Sequence, residues 1–314
     1  MDASFDLDAY LARIGYDGPR EPSLACLQAI HRLHPAAIPF ENLDPLLGRP
    51  PRLDIGSLQA KLVQGARGGY CYEQNSLLRA ALEALGFHVS GLAARVMWRS
   101  RPDEPPRQRS HMLLRIDQGE DVWIADVGFG GLVLTAPLRL EPDLVQKTPH
   151  EPFRILDDGE SYVLQVQLDG DWAALYSFSL EPQLPIDFEP FNWFVATHPT
   201  SPFTYALMGA RATAEGRLAL SNNRYTRRMK GQEPEERILA SVAELRAVLI
   251  HDFGVTPPAM IDQLAGRIGL QTVEDGPAPL AETQTGDEES DVSGGAEAGD
   301  LRGPPNSGQL RSGR

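Results

Sequence analysis

The hydrophobic periodicity of this chain switches near residue 88, and that switch limits it to a fold whose helices and strands are segregated along the sequence. Upstream, apolar residues recur at helical spacing. Phe5, Leu7, Tyr10, Leu11 and Ile14 lead up to Gly15, and Leu24, Leu27, Ile30 and Leu33 follow Ser23, a good N-cap. Ser57 is predicted to open a third helix carrying Leu58, Leu62 and Val63. Leu77, Leu78, Ala81, Leu82 and Leu85 mark a fourth, stopped by Gly86. From Val89 to about Gln183 the period is two: Tyr162, Leu164, Val166 and Leu168 alternate with polar residues. Asp157-Asp158-Gly159-Glu160 and Leu168-Asp169-Gly170-Asp171 read as hairpin turns. A mixed zone follows, with strands around Glu215-Gly216, a Ser241/Glu244 capping box before a helix stopped by Gly254, and a short helix after Pro257-Pro258. The expected class is α+β, with a helical part at 1–87, a strand-rich part at 88–183 and a mixed α/β part at 184–270.

Residues 271–314 are different. They hold nine acidic residues against three arginines and almost no large apolar groups, so they are expected to be a disordered acidic tail. The formal net charge of the whole chain, −14, argues against a nucleic-acid partner. No apolar run approaches the roughly 20 residues that cross a membrane, and the first residues lack the basic start of a secretion signal. Two cysteines make no disulfide framework, which suits a reducing, cytoplasmic setting.

One of those cysteines has an unusual setting. Cys71 lies in Arg67-Gly68-Gly69-Tyr70-Cys71-Tyr72-Glu73-Gln74-Asn75, where a glycine turn runs into a helical pattern. The positive end of the helix dipole favours a thiolate there, the reactive form of cysteine. His111, in Ser110-His111-Met112-Leu113-Leu114, and Asp126, in Val122-Trp123-Ile124-Ala125-Asp126, both stand in apolar strand patterns. A thiol, an imidazole base and a carboxylate that orients the imidazole form a nucleophile set for acyl transfer. Cys26 has no such setting, and His31 and His34, close together in a helical stretch, lack the further ligands a metal site needs.

These motifs resemble the arylamine N-acetyltransferase family. The matching pieces are Ile38-Pro39-Phe40-Glu41-Asn42-Leu43, Arg67 to Asn75, Ser110-His111, Asp126-Val127-Gly128-Phe129-Gly130 and Asn192 to Phe203, in the family's order across roughly residues 5 to 270. The resemblance implies a helical bundle, a central β-barrel-like domain and a C-terminal α/β lid, with a cysteine-protease-like catalytic core. It implies acetyl-CoA as co-substrate, no tightly bound cofactor, and ping-pong transfer to an arylamine or arylhydrazine through an acetyl thioester on Cys71. His111 is then the base and Asp126 the orienter.

Gly128, Phe129, Gly130, Gly131 and Ser110 are the candidate CoA contacts, with Arg224, Arg227, Arg228 and Lys230 as a cationic cluster for its phosphates. Tyr70, Tyr72, Phe129 and Phe203 are candidates for the acceptor pocket. Glu41 and Arg67 are expected to pair beneath the thiol and fix the turn. Two rivals keep the same triad: an amide synthase with a larger acyl donor, and a transglutaminase-like cysteine hydrolase. Neither the oligomeric state nor the physiological amine is written in these motifs.

Overall fold

Short polar caps decide where the first helices begin. In the computed structural model, which describes residues 5–101 and 103–270, α1 (Leu7–Ile14) starts on the Asp6 carboxylate and ends at Gly15 with left-handed φ of 71°. Helix α2 (Leu24–Ala37) starts on Ser23, as predicted, and buries Cys26, Leu27, Ile30, His31 and His34. A short strand, β1 (Phe40–Glu41), and a single helical turn, α3 (Leu43–Leu46), follow. The next helix departs from prediction. Asp54, not Ser57, caps α4 (Ile55–Leu58), accepting the Ser57 N–H at 3.0 Å, and the chain then continues as a π-helix over Gln59–Gln64. Two good capping residues stand three apart, and the earlier one takes the role.

Helix α5 (Cys71–Ala84) carries the nucleophile candidate at its first position and buries Leu77, Leu78, Ala81 and Leu82. Burying each leucine of that face contributes about 1.5–3 kcal/mol, so the helix start is anchored by its own packing. Gly86, with φ of 88°, ends it as expected.

Eight antiparallel strands follow: β2 (His88–Val96), β3 (Arg109–Gln118), β4 (Asp121–Ala125), β5 (Leu138–Arg139), β6 (Gln146–Lys147), β7 (Pro152–Asp157), β8 (Tyr162–Leu168) and β9 (Asp171–Phe178). Their order in the sheet is β5-β4-β3-β2-β9-β8-β7-β6. The two edge strands meet: the Gln146 side-chain amide accepts from Arg139 N–H at 2.8 Å and donates to Arg139 O at 2.9 Å. This contact brings the sheet round into the barrel-like form that the resemblance implied. Leu92, Leu113, Ile124, Phe153, Leu164 and Tyr176 fill its interior, while Met112, Leu114 and Ile116 point outward to the helices. The predicted hairpins are present, and Asp169 and Gly170 both take positive φ in the second.

Helix α6 (Phe188–Thr197) leads into a five-stranded sheet, ordered β1, β10 (Met208–Ala212), β11 (Gly216–Ser221), β12 (Arg224–Met229) and β13 (Glu235–Ile238). Helix α7 (Val242–His251) starts on Ser241 as predicted, packs on that sheet through Leu245, Val248 and Leu249, and is followed by α8 (Ala265–Ile268). No helix among the described residues is long and apolar enough to cross a membrane. The disorder expected for 271–314 concerns residues outside those described.

Candidate active site

The turn before Cys71 is built by exclusion. A β-carbon on Gly68 would meet the Pro39 carbonyl oxygen, so only glycine lets this loop lie against β1. Gly69 then exchanges main-chain hydrogen bonds with Pro39 O at 3.3 Å and Glu41 N at 3.1 Å. The Gln74 amide reaches back from α5 to the carbonyls of Ile38, Pro39 and Gly69 at 2.8–3.2 Å.

Beneath the turn lies the expected ion pair, with Arg67 Nη2 and Nε at 2.7 and 2.8 Å from Glu41 Oε1. It is part of a larger cluster. Arg67 also approaches Asp44, and Lys61 bridges Asp44 and Glu73 at 2.7 Å each. Three carboxylates share two cations there. Burial pushes the Glu73 carboxyl up to about 7 despite Lys61, while Lys61 is held cationic against its own burial by Glu73, Glu41 and Asp44.

Cys71 stands where α5 begins, 4% exposed, with Sγ 3.8 Å from the Ser110 carbonyl oxygen. The β2–β3 pairing slips at this point: Ala94 opposes His111 but Arg95 opposes Arg109, so Ser110 is the extra residue of a β-bulge. Bulges re-aim neighbouring side chains, and this one stands beside His111. The imidazole Nε2 is 2.7 Å from Asp126 Oδ2, and the neighbouring Cys71 thiol adds to the electrostatic pull on its proton. Nδ1 is therefore the nitrogen left for the thiol. Burial lowers the His111 pKa, but the Asp126 charge and hydrogen bond, with a smaller contribution from Cys71, outweigh it and raise it from 6.5 to about 10.

Asp126 is fully buried at the end of β4 and saturated with donors. Oδ1 accepts from Asn75 Nδ2 at 3.0 Å and Gly128 N–H at 2.8 Å, and Oδ2 from His111 and from Tyr176 O–H at 3.0 Å. Burial alone would raise its pKa; the charge and hydrogen bond of His111, then Asn75 and Gly128, hold it below 3.8. Asn75 also accepts the Val127 N–H at 3.1 Å and donates to Met112 O at 2.8 Å, so one α5 side chain ties three segments together.

The remaining candidates divide. Phe129 sets its ring edge-on against His111, with centroids 5.2 Å apart, and is partly exposed. Gly128 is occupied otherwise than expected: its amide is used on Asp126, and a β-carbon there would lie 2.6 Å from Cys71 Cα. It is the point where the β4 end touches α5 at Cys71. Gly130 faces the Phe40 ring, and Gly131 is exposed with open space before it.

Tyr70 and Tyr72 are wholly buried, which departs from the pocket-wall expectation. Their rings pack edge-on at 5.7 Å, and Tyr70 O–H donates to Asn192 Oδ1. Phe203 packs on Tyr70 and Phe40 and stays partly exposed. In the cationic cluster, Arg224 and Arg227 pair with Glu236 and Glu235. Sequence reasoning gave Asn75 no role, although it stands inside the quoted thiol motif. It also missed Tyr176, whose only sequence signal is an aromatic in a strand.

A family model described as N-acetyltransferase matches residues 23–259. The chain belongs to the arylamine N-acetyltransferase family. It is 42% identical over 267 residues to the arylamine N-acetyltransferase of Mycolicibacterium smegmatis, covering 84% of this chain and 95% of that one. It is 43% identical over 250 residues to the enzyme of Escherichia coli K12, covering 79% and 88%. Among solved structures of the family, that from M. tuberculosis superposes with a TM-score of 0.78 at 40% identity, over 80% of this chain and 94% of that one. The Mycobacterium marinum enzyme in complex with CoA superposes with a TM-score of 0.77 at 41% identity, over 80% and 93%.

Proposed function

We propose that this arylamine N-acetyltransferase works by a ping-pong mechanism through an acetyl thioester on Cys71, with acetyl-CoA as donor. The observation that carries the reading is a thiol at a helix N-terminus, set on the carbonyl of the residue before His111, with that imidazole bonded to a carboxylate with four donors. In the resting site His111 carries the thiol proton as imidazolium and Asp126 neutralises it. The Cys71 thiolate attacks the carbonyl carbon of acetyl-CoA. The bond from that carbon to the CoA sulfur breaks, and the departing thiolate takes the proton from His111. The arylamine nitrogen then attacks the Cys71 thioester, neutral His111 accepts the amine proton, and the bond to Cys71 breaks to restore the thiolate–imidazolium pair. Backbone N–H groups in the first turn of α5, including that of Cys71, are the proposed donors to the developing oxyanion.

The partly exposed rings of Phe129, Phe203 and Phe40 are the proposed apolar wall for the acceptor. A weakly basic arylamine suits it, because the amine arrives uncharged. Gly131 and Ser110 are the proposed neighbours of the CoA arm; CoA itself as the carrier is supported by the CoA complex of the M. marinum relative. A reducing cytoplasm is the proposed setting for a working thiol. Steady-state rates with both substrates varied test the scheme. Parallel double-reciprocal lines are expected; intersecting lines mean direct transfer within a ternary complex and overturn it. Transfer from a long acyl thioester with none from acetyl-CoA would instead select the amide synthase.

A further inference from the structure

We propose that α2 is a positioning element for the triad, its buried His31 holding the backbone of Asp126 while His34, one turn on, holds the loop that presents Cys71. The inference rests on the triad reading above and assigns roles to two histidines that the mechanism leaves unused. Both are completely buried, on one face of α2 at i, i+3 spacing.

Hydrogen bonds fix a direction at three of the four ring nitrogens; His31 Nδ1 is buried without a hydrogen-bond partner among the described residues. His31 Nε2 accepts the Asp126 N–H at 3.1 Å, which leaves its proton on Nδ1. His34 has the opposite tautomer. Its Nε2 lies 2.7 Å from Gln74 Oε1, an acceptor, so Nε2 carries the proton, and Nδ1 accepts from Tyr10 O–H at 2.8 Å. The Gln74 orientation is set in turn, because its Nε2 donates to the carbonyls of Ile38, Pro39 and Gly69. One helix therefore grips the carboxylate strand end and the nucleophile turn, and the register between them is that of two adjacent side chains.

Both histidines must stay neutral for this. A proton on His31 would remove the only acceptor His31 offers to Asp126 N–H and place a second cation beside the carboxylate that serves His111. Burial lowers His31 to about 3, with the Asp126 charge opposing and His34 adding to the drop, and lowers His34 to about 4.

Asparagine and glutamine separate positioning from mere packing. The glutamine amide reaches the place of the imidazole Nε2, accepting at 31 and donating at 34; the asparagine amide stops short of it. The test measures single-turnover acetylation of Cys71 by acetyl-CoA across pH, its KM, and thermal stability for His31→Asn, His31→Gln, His34→Asn and His34→Gln. Either asparagine should slow acetylation at neutral pH by about tenfold or more, with KM for acetyl-CoA unchanged and the rate profile displaced. Each glutamine should stay within about threefold of wild type and keep its profile.

Asparagine variants that retain the wild-type rate and profile overturn the proposal. So do asparagine and glutamine variants that lose stability alike with an unmoved profile. If the asparagine variants fail to fold, the glutamine variants decide, and a folded glutamine variant that has lost the rate overturns it. Failure of the triad reading is distinguishable, because wild-type Cys71 would then take no acetyl group at all.

Discussion

At the scale of single residues the site is a problem in keeping one carboxylate charged inside a core. Asp126 meets it with four donors, and a hydrogen bond to a charged group is worth about 1.5–3 kcal/mol. Tyr176→Phe removes one donor without changing shape, so chemical denaturation should show a loss of that size and the acetylation rate should fall several-fold; unchanged stability would contradict the account. Asp126→Asn keeps the geometry but leaves His111 without its charge partner, and the transfer rate should drop by about 10²–10⁴-fold. Gly128→Ala puts a methyl group against the Cys71 backbone. The expected cost is about 1–3 kcal/mol of stability, with a slower first half-reaction in a rapid-mixing assay. Cys71, His111 and Asp126 were legible because each has a distinctive local setting. Asn75, Tyr176 and His31 were not, since their shared partner Asp126 lies 50 or more residues away in sequence and is met only once α5, β9 and α2 are packed together.

Elements place these residues, and their ends are what sequence reads best. Ser23, Gly15, Gly86 and Ser241 cap or stop helices where expected because capping chemistry is local, whereas α7 ends at His251 on Asp252, short of the expected stop at Gly254. Asp54 displaced Ser57 for the same local reason. Helix α6 gave no helical signal, because Phe188-Glu189-Pro190-Phe191-Asn192-Trp193-Phe194 is apolar on most faces and carries an internal proline. The bulge at Ser110 is likewise invisible in sequence, being a property of the β2–β3 register. The turn before α5 depends on the Arg67–Glu41 pair, in which both side chains are largely buried. Arg67→Ala leaves Glu41 without its main partner. A loss of about 3–5 kcal/mol and a lower folded yield are expected in urea titration, and wild-type stability would discard that role.

For the whole molecule, the buried charged pair of His111 on β3 and Asp126 after β4 makes stability depend on pH with a definite sign. His111 binds its proton more tightly in the folded chain. That contribution is complete below the unfolded value of 6.5 and is lost as pH rises through about 10. Asp126 acts in the opposite sense: its contribution is present above 3.8 and is lost as acid titrates the folded carboxyl. The melting temperature should therefore fall between pH 6.5 and 10, and Asp126→Asn should flatten that fall; equal slopes for the two proteins would remove the pair from the account. Fold class and element order were legible from periodicity. Closure of the sheet was not, since it depends on Gln146 meeting Arg139 across the two edge strands.

All of this chemistry requires that an acyl group be parked on one sulfur. Intact-mass measurement of the full chain after brief exposure to acetyl-CoA tests that most directly. A gain of one acetyl group on the wild type, absent in Cys71→Ser and discharged by an arylamine, is the predicted result. No gain, or a gain that persists in Cys71→Ser, contradicts it.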